Sequence, residues 1–464
     1  MSIATPPPAR PASARGAHAR EDSGLAPVAV PFANALRFWL HLGLVSFGGP
    51  AGQIALLHDE LVEKRRWISE RRFLHALNYC MVLPGPEAMQ LATYIGWLMH
   101  RVPGGLAAGG LFILPSLVLL IGLSWLYLAW GTVPLVAGLF YGVKPAVTAI
   151  VLQAAQRIGR RTLHSRPLIV IALVAFLAIF AFNLPFPLII AAAALAGWLG
   201  GRWQPQAFAG GGGHGAGPVI HRPALIDDDT PPPAHAQPSR ARLIRAVGWA
   251  VLAWGGPMLI LAMCTGPTSV LTGLAWFFSK AALLTFGGAY AVLPYVWQGA
   301  VAQFAWLTPG QMMDGLALGE TTPGPLIIVV AFVGFVTGYG HAPPGADLRF
   351  FAGALAACVV TWFTFLPSFV FVLAGGPWVE AGRATQRLLA PLSAITAAVV
   401  GVIVQLALFF AGHVLFPHGL QQAPDLAAAL LTGAAALALL HYRQSVPRVI
   451  LGCGAAGILL QLSR

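Results

Sequence analysis

Apolar residues run along this chain in long unbroken stretches, with neither strand-like alternation nor the stripe of a surface helix. Runs near 104–130, 132–155, 167–182 and 184–200 reach the roughly 17–25 residues that cross a bilayer. Similar runs fill the second half. Continuous runs predict spanning α-helices, whereas a membrane β-barrel needs alternation. Two stretches interrupt the pattern. "LVSFGGPAGQ" (Leu44–Gln53) and the centre of "FLHALNYCMVLPGPEAMQLATYIGWLMH" (Pro84-Gly85-Pro86) place glycine and proline inside apolar runs. Proline ends the helix before it and glycine admits positive φ, so both predict helix–break–helix.

Both breaks recur. Ser46-Phe47-Gly48-Gly49 returns 239 residues later as Thr285-Phe286-Gly287-Gly288, and Pro84-Gly85-Pro86 as Pro323-Gly324-Pro325 at the same offset. Phe38 and Trp67 match Phe277 and Trp306. After the insertion "GYGHAPPGAD" the offset is 252, where Leu114-Pro115-Ser116 matches Leu366-Pro367-Ser368 and Gln153 matches Gln405. Landmarks in one order at near-constant spacing predict an internal duplication.

The chain divides into five segments. Residues 1–31 form a Pro/Ala/Arg-rich tail expected to be disordered and cytoplasmic. Residues 32–202 are the first repeat, and 203–243, rich in Gly and Pro, a flexible cytoplasmic linker. Residues 244–265 form one connecting transmembrane helix without a partner, and 266–464 the second repeat. One extra span inverts the second repeat relative to the first, and the basic residues agree. The loop from His58 to Arg72 carries Lys64, Arg65, Arg66, Arg71 and Arg72, while its counterpart "GAVAQFAWLTPGQ" has none. "RIGRRTLHSR" faces the neutral "AGHVLFPHGL", and the neutral "YLAWGTVPLV" faces a region with Arg383 and Arg387. Such alternation is what the positive-inside rule predicts for inverted repeats. The expected fold is an all-α polytopic membrane protein of two inverted-topology repeats with broken or re-entrant helical hairpins. Placing the tail, the 58–72 loop and the Arg101 turn on the cytoplasmic side makes the broken segments re-entrant. That gives nine spans and four hairpins, N-terminus cytoplasmic and C-terminus periplasmic. Broken full spans would instead leave one strongly basic loop outside.

Composition adds exclusions. Hydrophobic residues make up 57% and charged residues 9% of the chain, against about 25% charged in soluble domains. The formal charge of +12 lies mostly between apolar runs, so it reads as topology and not as nucleic-acid binding. The four cysteines form no CxxC or Cys/His cluster, so no metal or other cofactor is expected. There is no phosphate-binding P-loop, and no nucleophile, base and metal set that would suggest an enzyme.

Discontinuous segments at matching places of inverted repeats point to a transporter's substrate site, and helix starts there favour an anion. The expected site is Ser46, Phe47, Gly48, Gly49, Pro84, Gly85, Pro86 and Gln90 with Thr285, Phe286, Gly287, Gly288, Thr322, Pro323, Gly324 and Pro325. Ser46, Gln53, Gln90, Thr285, Thr321 and Thr322 offer neutral donors for a tetrahedral oxyanion. His41 and Lys280 occupy equivalent positions beside the two FGG turns and are the first candidates for attracting it; Lys144 is a third. Snorkelling of Lys280 and a core hydrogen bond for His41 stand as alternatives. Glu87 and Glu320 beside the two PGP turns either cap helix starts or carry a coupled proton.

"SFGGPAGQIALLHDELVE", "LPGPEAMQLATYIGW", "LTFGGAYAVLPYV" and "LTPGQMMDGLALGETTPGPLIIVVAFVGF" resemble the chromate ion transporter family in its long two-domain form, over about residues 32–460. The resemblance implies a bacterial inner-membrane protein that exports chromate by secondary transport and confers chromate resistance, with sulfate as the structural mimic. His41 stands where the family pattern has a lysine. Expected partners are chromate or sulfate, membrane lipid and a second copy of the chain as a homodimer. A channel-like anion conductor, or a transporter of sulfate or another oxyanion, is the alternative on the same scaffold.

Overall fold

The computed structural model describes residues 29–47, 49–208, 223–343, 345–381, 389–417, 419 and 421–463. Residues 1–28 of the tail, Gly48, Arg383 and Arg387 therefore lie outside the described residues. Apart from one isolated bridge, the described secondary structure is helical.

The first half runs α1 (Phe32–Val45), α2 (Gly49–His58), α3 (Glu70–Val82), α4 (Glu87–Trp130), α5 (Pro134–Thr162), α6 (Arg166–Phe180) and α7 (Phe186–Trp203). The short α8 (Pro205–Phe208) and the connecting α9 (Arg240–Thr265) come next. The second half has α10 (Val270–Leu283), α11 (Leu293–Trp297), α12 (Pro309–Thr321), α13 (Val329–Gly340), α14 (Ala346–Glu380), α15 (Leu389–Leu415), α16 (Leu426–Leu440) and α17 (Val446–Leu462). Helix α4 breaks at His100–Arg101, where Arg101 has φ 58°; in the second half a loop separates α13 from α14 at the equivalent place.

Equivalent residues adopt equivalent local structure. The π-helical turn Asp59–Lys64 recurs as Gln298–Gln303, with i→i−5 bonds from Arg65 N–H to Glu60 O and from Phe304 N–H to Gly299 O. Arg66 and Ala305, just beyond, have φ 53° and 49°. Ser69 caps α3 by accepting from Arg72 N–H, and Thr308 caps α12 by accepting from Gln311 N–H. These matches extend the 239-residue repeat from sequence into backbone geometry.

Six of the described helices are long and apolar enough to cross a membrane: α4, α5, α7, α9, α14 and α15. Three stretches expected as spans, α6, α16 and α17, have 15, 15 and 17 residues and fall below that length. The 14-residue α1 and 10-residue α2 extend about 21 and 15 Å at 1.5 Å per residue, too short for a core of about 30 Å. Proline and glycine end them where the sequence pattern predicts.

The two repeats interlock. Helices α16 and α17 pack on α5 of the first half, while α6 and α7 pack on α15 of the second. Small residues permit this. A Cβ on Gly457 would lie 2.3 Å from Gly138 O, and one on Gly197 2.6 Å from Ala390 O, the same contact in each half. Without a hydrophobic force between helices in lipid, such close backbone approach supplies the packing.

Part of the stretch expected as flexible linker is docked. Leu225 and Ile226 N–H donate to Arg66 O and Trp67 O, Ser69 Oγ donates to Asp228 at 2.6 Å, and Arg72 donates to Thr230 O at 2.9 Å. The chain here satisfies backbone groups of the 65–69 turn that no helix covers.

A Cβ on Gly142 would stand 1.9 Å from Cys453 O. Gly142→Ala should lower stability by about 1–3 kcal/mol in detergent thermal unfolding. Gly122→Ala, which meets nothing within 4 Å, should leave it unchanged.

Candidate functional site: the crossed helix breaks

Each PGP turn meets the other half's break. Gly85, at φ 129°, donates its N–H to Thr285 O at 2.7 Å; Gly324, at φ 95°, donates to Ser46 O at 2.8 Å. Side chains lock the crossing. Gln53 Nε2 donates to Ser46 O at 3.3 Å and to Gly324 O, Gln90 Nε2 donates to Pro84 O at 2.8 Å, and Ser116 Oγ donates to Pro323 O. Only glycine fits at the two turns. A Cβ would lie 2.1 Å from Ser368 Oγ at Gly85 and 1.8 Å from Ser116 Oγ at Gly324, on top of the positive φ. Ser116 and Ser368 are themselves repeat partners, so the crossing is reciprocal.

The structure thus gathers Ser46, Pro84, Gly85, Gln90, Thr285, Pro323 and Gly324, with Pro86, Thr322 and Pro325 alongside them in the chain. Ser46, Gln90 and Thr285 are fully buried, and Thr322 is buried. Their hydroxyls are engaged: Ser46 Oγ donates to Leu42 O, Thr285 Oγ1 to Ala281 O, Thr321 Oγ1 to Leu318 O and Thr322 Oγ1 to Gly319 O. These groups, expected as anion donors, hold the helix ends that carry the turns. Gln53 and Gln90 likewise hold the turns' carbonyls. The donors without such a role are main-chain. Helix α4 starts after Pro86 with no side-chain cap, as does the 3₁₀ turn Leu326–Ile328 after Pro325. Their first N–H groups and positive dipole ends sit beside the crossing. Among the FGG residues, Phe47 is 46% exposed while Gly288 is buried.

His41 and Lys280 do not join this centre. Both are exposed, and Lys280 Nζ lies 5.8 Å from the Trp276 ring centroid on the outer face of α10. Symmetric position does not bring a residue inward, because the helix faces carrying them are not those packed on α4 and α14.

Lys144 is partnered. Its Nζ lies 3.7 Å from Asp314 Oδ2, which also accepts from Tyr127 OH at 2.9 Å, joining α4, α5 and α12. Glu380 is held by Tyr94 OH and by Arg72 at 3.5 Å. Tyr290 OH donates to Glu320. Arg157, exposed and donating to Gln153 Oε1 at 3.4 Å, is within electrostatic range of Glu320, as the exposed Arg161 is of Glu87; neither makes an ion pair with its carboxylate among the described residues. Sequence reading misses Asp314, Glu380, the three tyrosines and this role of the arginines. The repeat cannot reveal them: Asp314 corresponds to His75, Lys144 to Thr396 and Glu320 to Met81. In the sequence the arginines carry only a topology signal.

Beside the π turn, ligand atoms of His58, Glu63 and Glu70 lie within 4.8 Å of one another, with His58 and Glu70 bonded to each other.

Ser116→Ala should strip the Pro323 carbonyl of its partner and cost about 1–3 kcal/mol. Gly324→Ala should cost more. The double variant should recover only part of that loss, because the positive φ remains; thermal unfolding of the three proteins checks this order.

Comparison with known proteins agrees with this architecture. A model of the chromate transporter family matches residues 33–198 and 272–458, one match per half. A chromate transport protein of Pseudomonas aeruginosa is 34% identical over 477 aligned residues, covering 99% of each chain. Another, from Cupriavidus metallidurans, is 27% identical over 91% of each. An uncharacterised transporter of Bacillus subtilis is 28% identical over 29% of this chain and 68% of its own length. No solved structure matches significantly. With both halves matched and full-length relatives at this identity, the chain belongs to the chromate transporter family.

Proposed function

We propose that the chain exports chromate, with sulfate as its mimic, across the bacterial inner membrane by alternating access, and so confers chromate resistance. The observation that carries this reading is the reciprocal crossing of Gly85 onto Thr285 and Gly324 onto Ser46. It brings the uncapped helix starts of the matched breaks to the contact between halves, where an anion passing between them must go. The crossing is closed in this state, so passage requires one of the two turn pairs to part while the other holds. Inverted halves make the two alternatives nearly equivalent, which is what alternating access needs.

In this scheme Arg157 and Arg161 attract the dianion toward the crossing, and main-chain N–H groups at Glu87 and Leu326 receive it. Glu87 and Glu320 compete with the anion for the same arginines, so protonating either carboxylate frees a cation. Proton and anion then bind together, which gives a route to proton–anion co-transport without making it obligatory. A dianion leaving an inside-negative cell gains about 4.6 kcal/mol per 100 mV, twice the ~2.3 kcal/mol of one charge. The membrane potential alone therefore drives export. The basic 58–72 loop and α5 end are cytoplasmic in this orientation.

The test is uptake of labelled chromate into inverted vesicles. Uptake should saturate, be inhibited by sulfate and follow an imposed potential. Arg157→Gln and Arg161→Gln should each lower it about tenfold or more, equivalent to at least ~1.4 kcal/mol. Uptake no greater than in empty vesicles would overturn the reading, and non-saturating flux would favour a channel.

A further inference from the structure

Helix α9 is the element that neither repeat accounts for, and it has no buried residue. It packs on α14 and α10, pinned by Trp254 Nε1 donating to Ser279 Oγ at 2.9 Å and Trp362 Nε1 donating to Ala253 O at 3.0 Å. Toward its N-terminal end, a cavity of about 650 Å³ opens between α9, α14 and the break in α4. Its walls are mostly apolar, among them Leu106, Trp249, Phe369 and Leu373. Among the described residues, besides indole N–H groups, only His235, Ser239, Arg242 and Arg245 bring polar or charged groups, and no carboxylate lines it.

The polar groups sit at one end. Arg240, Arg242 and Arg245 fall in the first two turns of a helix long enough to cross a membrane, so they stand at headgroup level. The docked linker roofs this end: His235 bonds to Trp97 O at 2.9 Å, and Arg242 Nη1 donates to His235 O at 2.8 Å and Gln237 O at 3.0 Å. Arg101, exposed and in the left-handed region at φ 58°, lies near enough to act on the His235 ring. Burial, then Arg101 and Arg242, hold that ring's pKa below its usual range, in line with a locally positive field. Arg245 and Arg101 have no hydrogen-bond or ion-pair partner among the described residues. Glu380, just past the lining residues Pro377 and Trp378, is already held by Arg72 and Tyr94.

We propose that this cavity binds one anionic phospholipid, with its phosphate among Arg101, Arg242 and Arg245 and an acyl chain along Trp249, Phe369 and Leu373. A basic mouth over an apolar chamber fits a headgroup joined to a hydrocarbon tail. A free phosphate gains nothing from the chamber, and a zwitterionic lipid finds no carboxylate for its cation among the described lining residues. The lipid fills the gap that leaves α9 without a buried face, and ties the connecting helix and the docked linker to α4 and α14. The site is separate from the crossed turns and does not depend on the export reading.

Native mass spectrometry of the full chain in detergent tests this, with phosphatidylglycerol and phosphatidylcholine titrated separately. The wild-type protein should bind phosphatidylglycerol at least tenfold more tightly. Arg101→Ala with Arg245→Ala should reduce that binding to the phosphatidylcholine level. Ala250→Trp, which fills the apolar chamber without touching an arginine, should weaken binding of both lipids, and it keeps the test decisive if the arginine variant folds poorly. Excess inorganic phosphate should not displace the lipid. Equal binding of the two lipids by wild type, or phosphatidylglycerol binding untouched by the variants, would overturn the proposal. Displacement by inorganic phosphate, with Ala250→Trp without effect, would mean a free-anion site and would overturn it equally.

Discussion

A broken helix inside a membrane leaves main-chain groups that lipid cannot satisfy, at several kcal/mol each. This chain resolves the problem by making each half complete the other. The Gly85 N–H finds its acceptor at Thr285, and the Gly324 N–H finds its acceptor at Ser46. Much else at the centre serves that exchange. Gln53, Gln90 and Ser116 satisfy the remaining carbonyls of the turns, and the absence of a Cβ at the two glycines lets the halves approach. Each half supplies the acceptor for the other's PGP glycine N–H, which is a physical reason for the two to interlock as they do, with α5 gripped by α16 and α17 and α15 by α6 and α7.

The charged residues obey a different logic. They are where the halves diverge: Lys144 with Asp314, Arg72 with Glu380, and Arg157 and Arg161 acting through space on Glu320 and Glu87. In the proposed mechanism the membrane potential gives transport its direction, and the charges can differ between the halves without disturbing the crossing. Asp314, Glu380 and Glu320 each accept from a tyrosine hydroxyl, of Tyr127, Tyr94 and Tyr290 in turn, which lowers the cost of keeping them away from water.

Much of this architecture was legible in the sequence. The duplication could be read because SFGG, PGP, LPS and their aromatic neighbours kept order and spacing, and even the π turns obey the same offset. What could not be read was contact. Repeat matching shows which residues are equivalent, whereas the structure joins inequivalent ones, a PGP of one half to an FGG break of the other. His41 and Lys280 illustrate the limit, since they are matched in position and yet face outward. Asp314 illustrates the converse, buried and paired though nothing in "QMMDGLALG" sets it apart. The docked linker was hidden for a third reason. Gly/Pro-rich composition predicts freedom, but Ile226, Asp228 and Thr230 are held by hydrogen bonds to the distant 65–72 turn.

The claim that the crossed breaks form the anion's passage can be tested by diffraction at the chromium absorption edge from the protein saturated with chromate. The account predicts one anomalous peak beside Gly85–Thr285 and Gly324–Ser46, within hydrogen-bonding reach of the helix start at Glu87 or Leu326. A peak instead on the outer face beside His41 or Lys280, with none at the crossing, would contradict it.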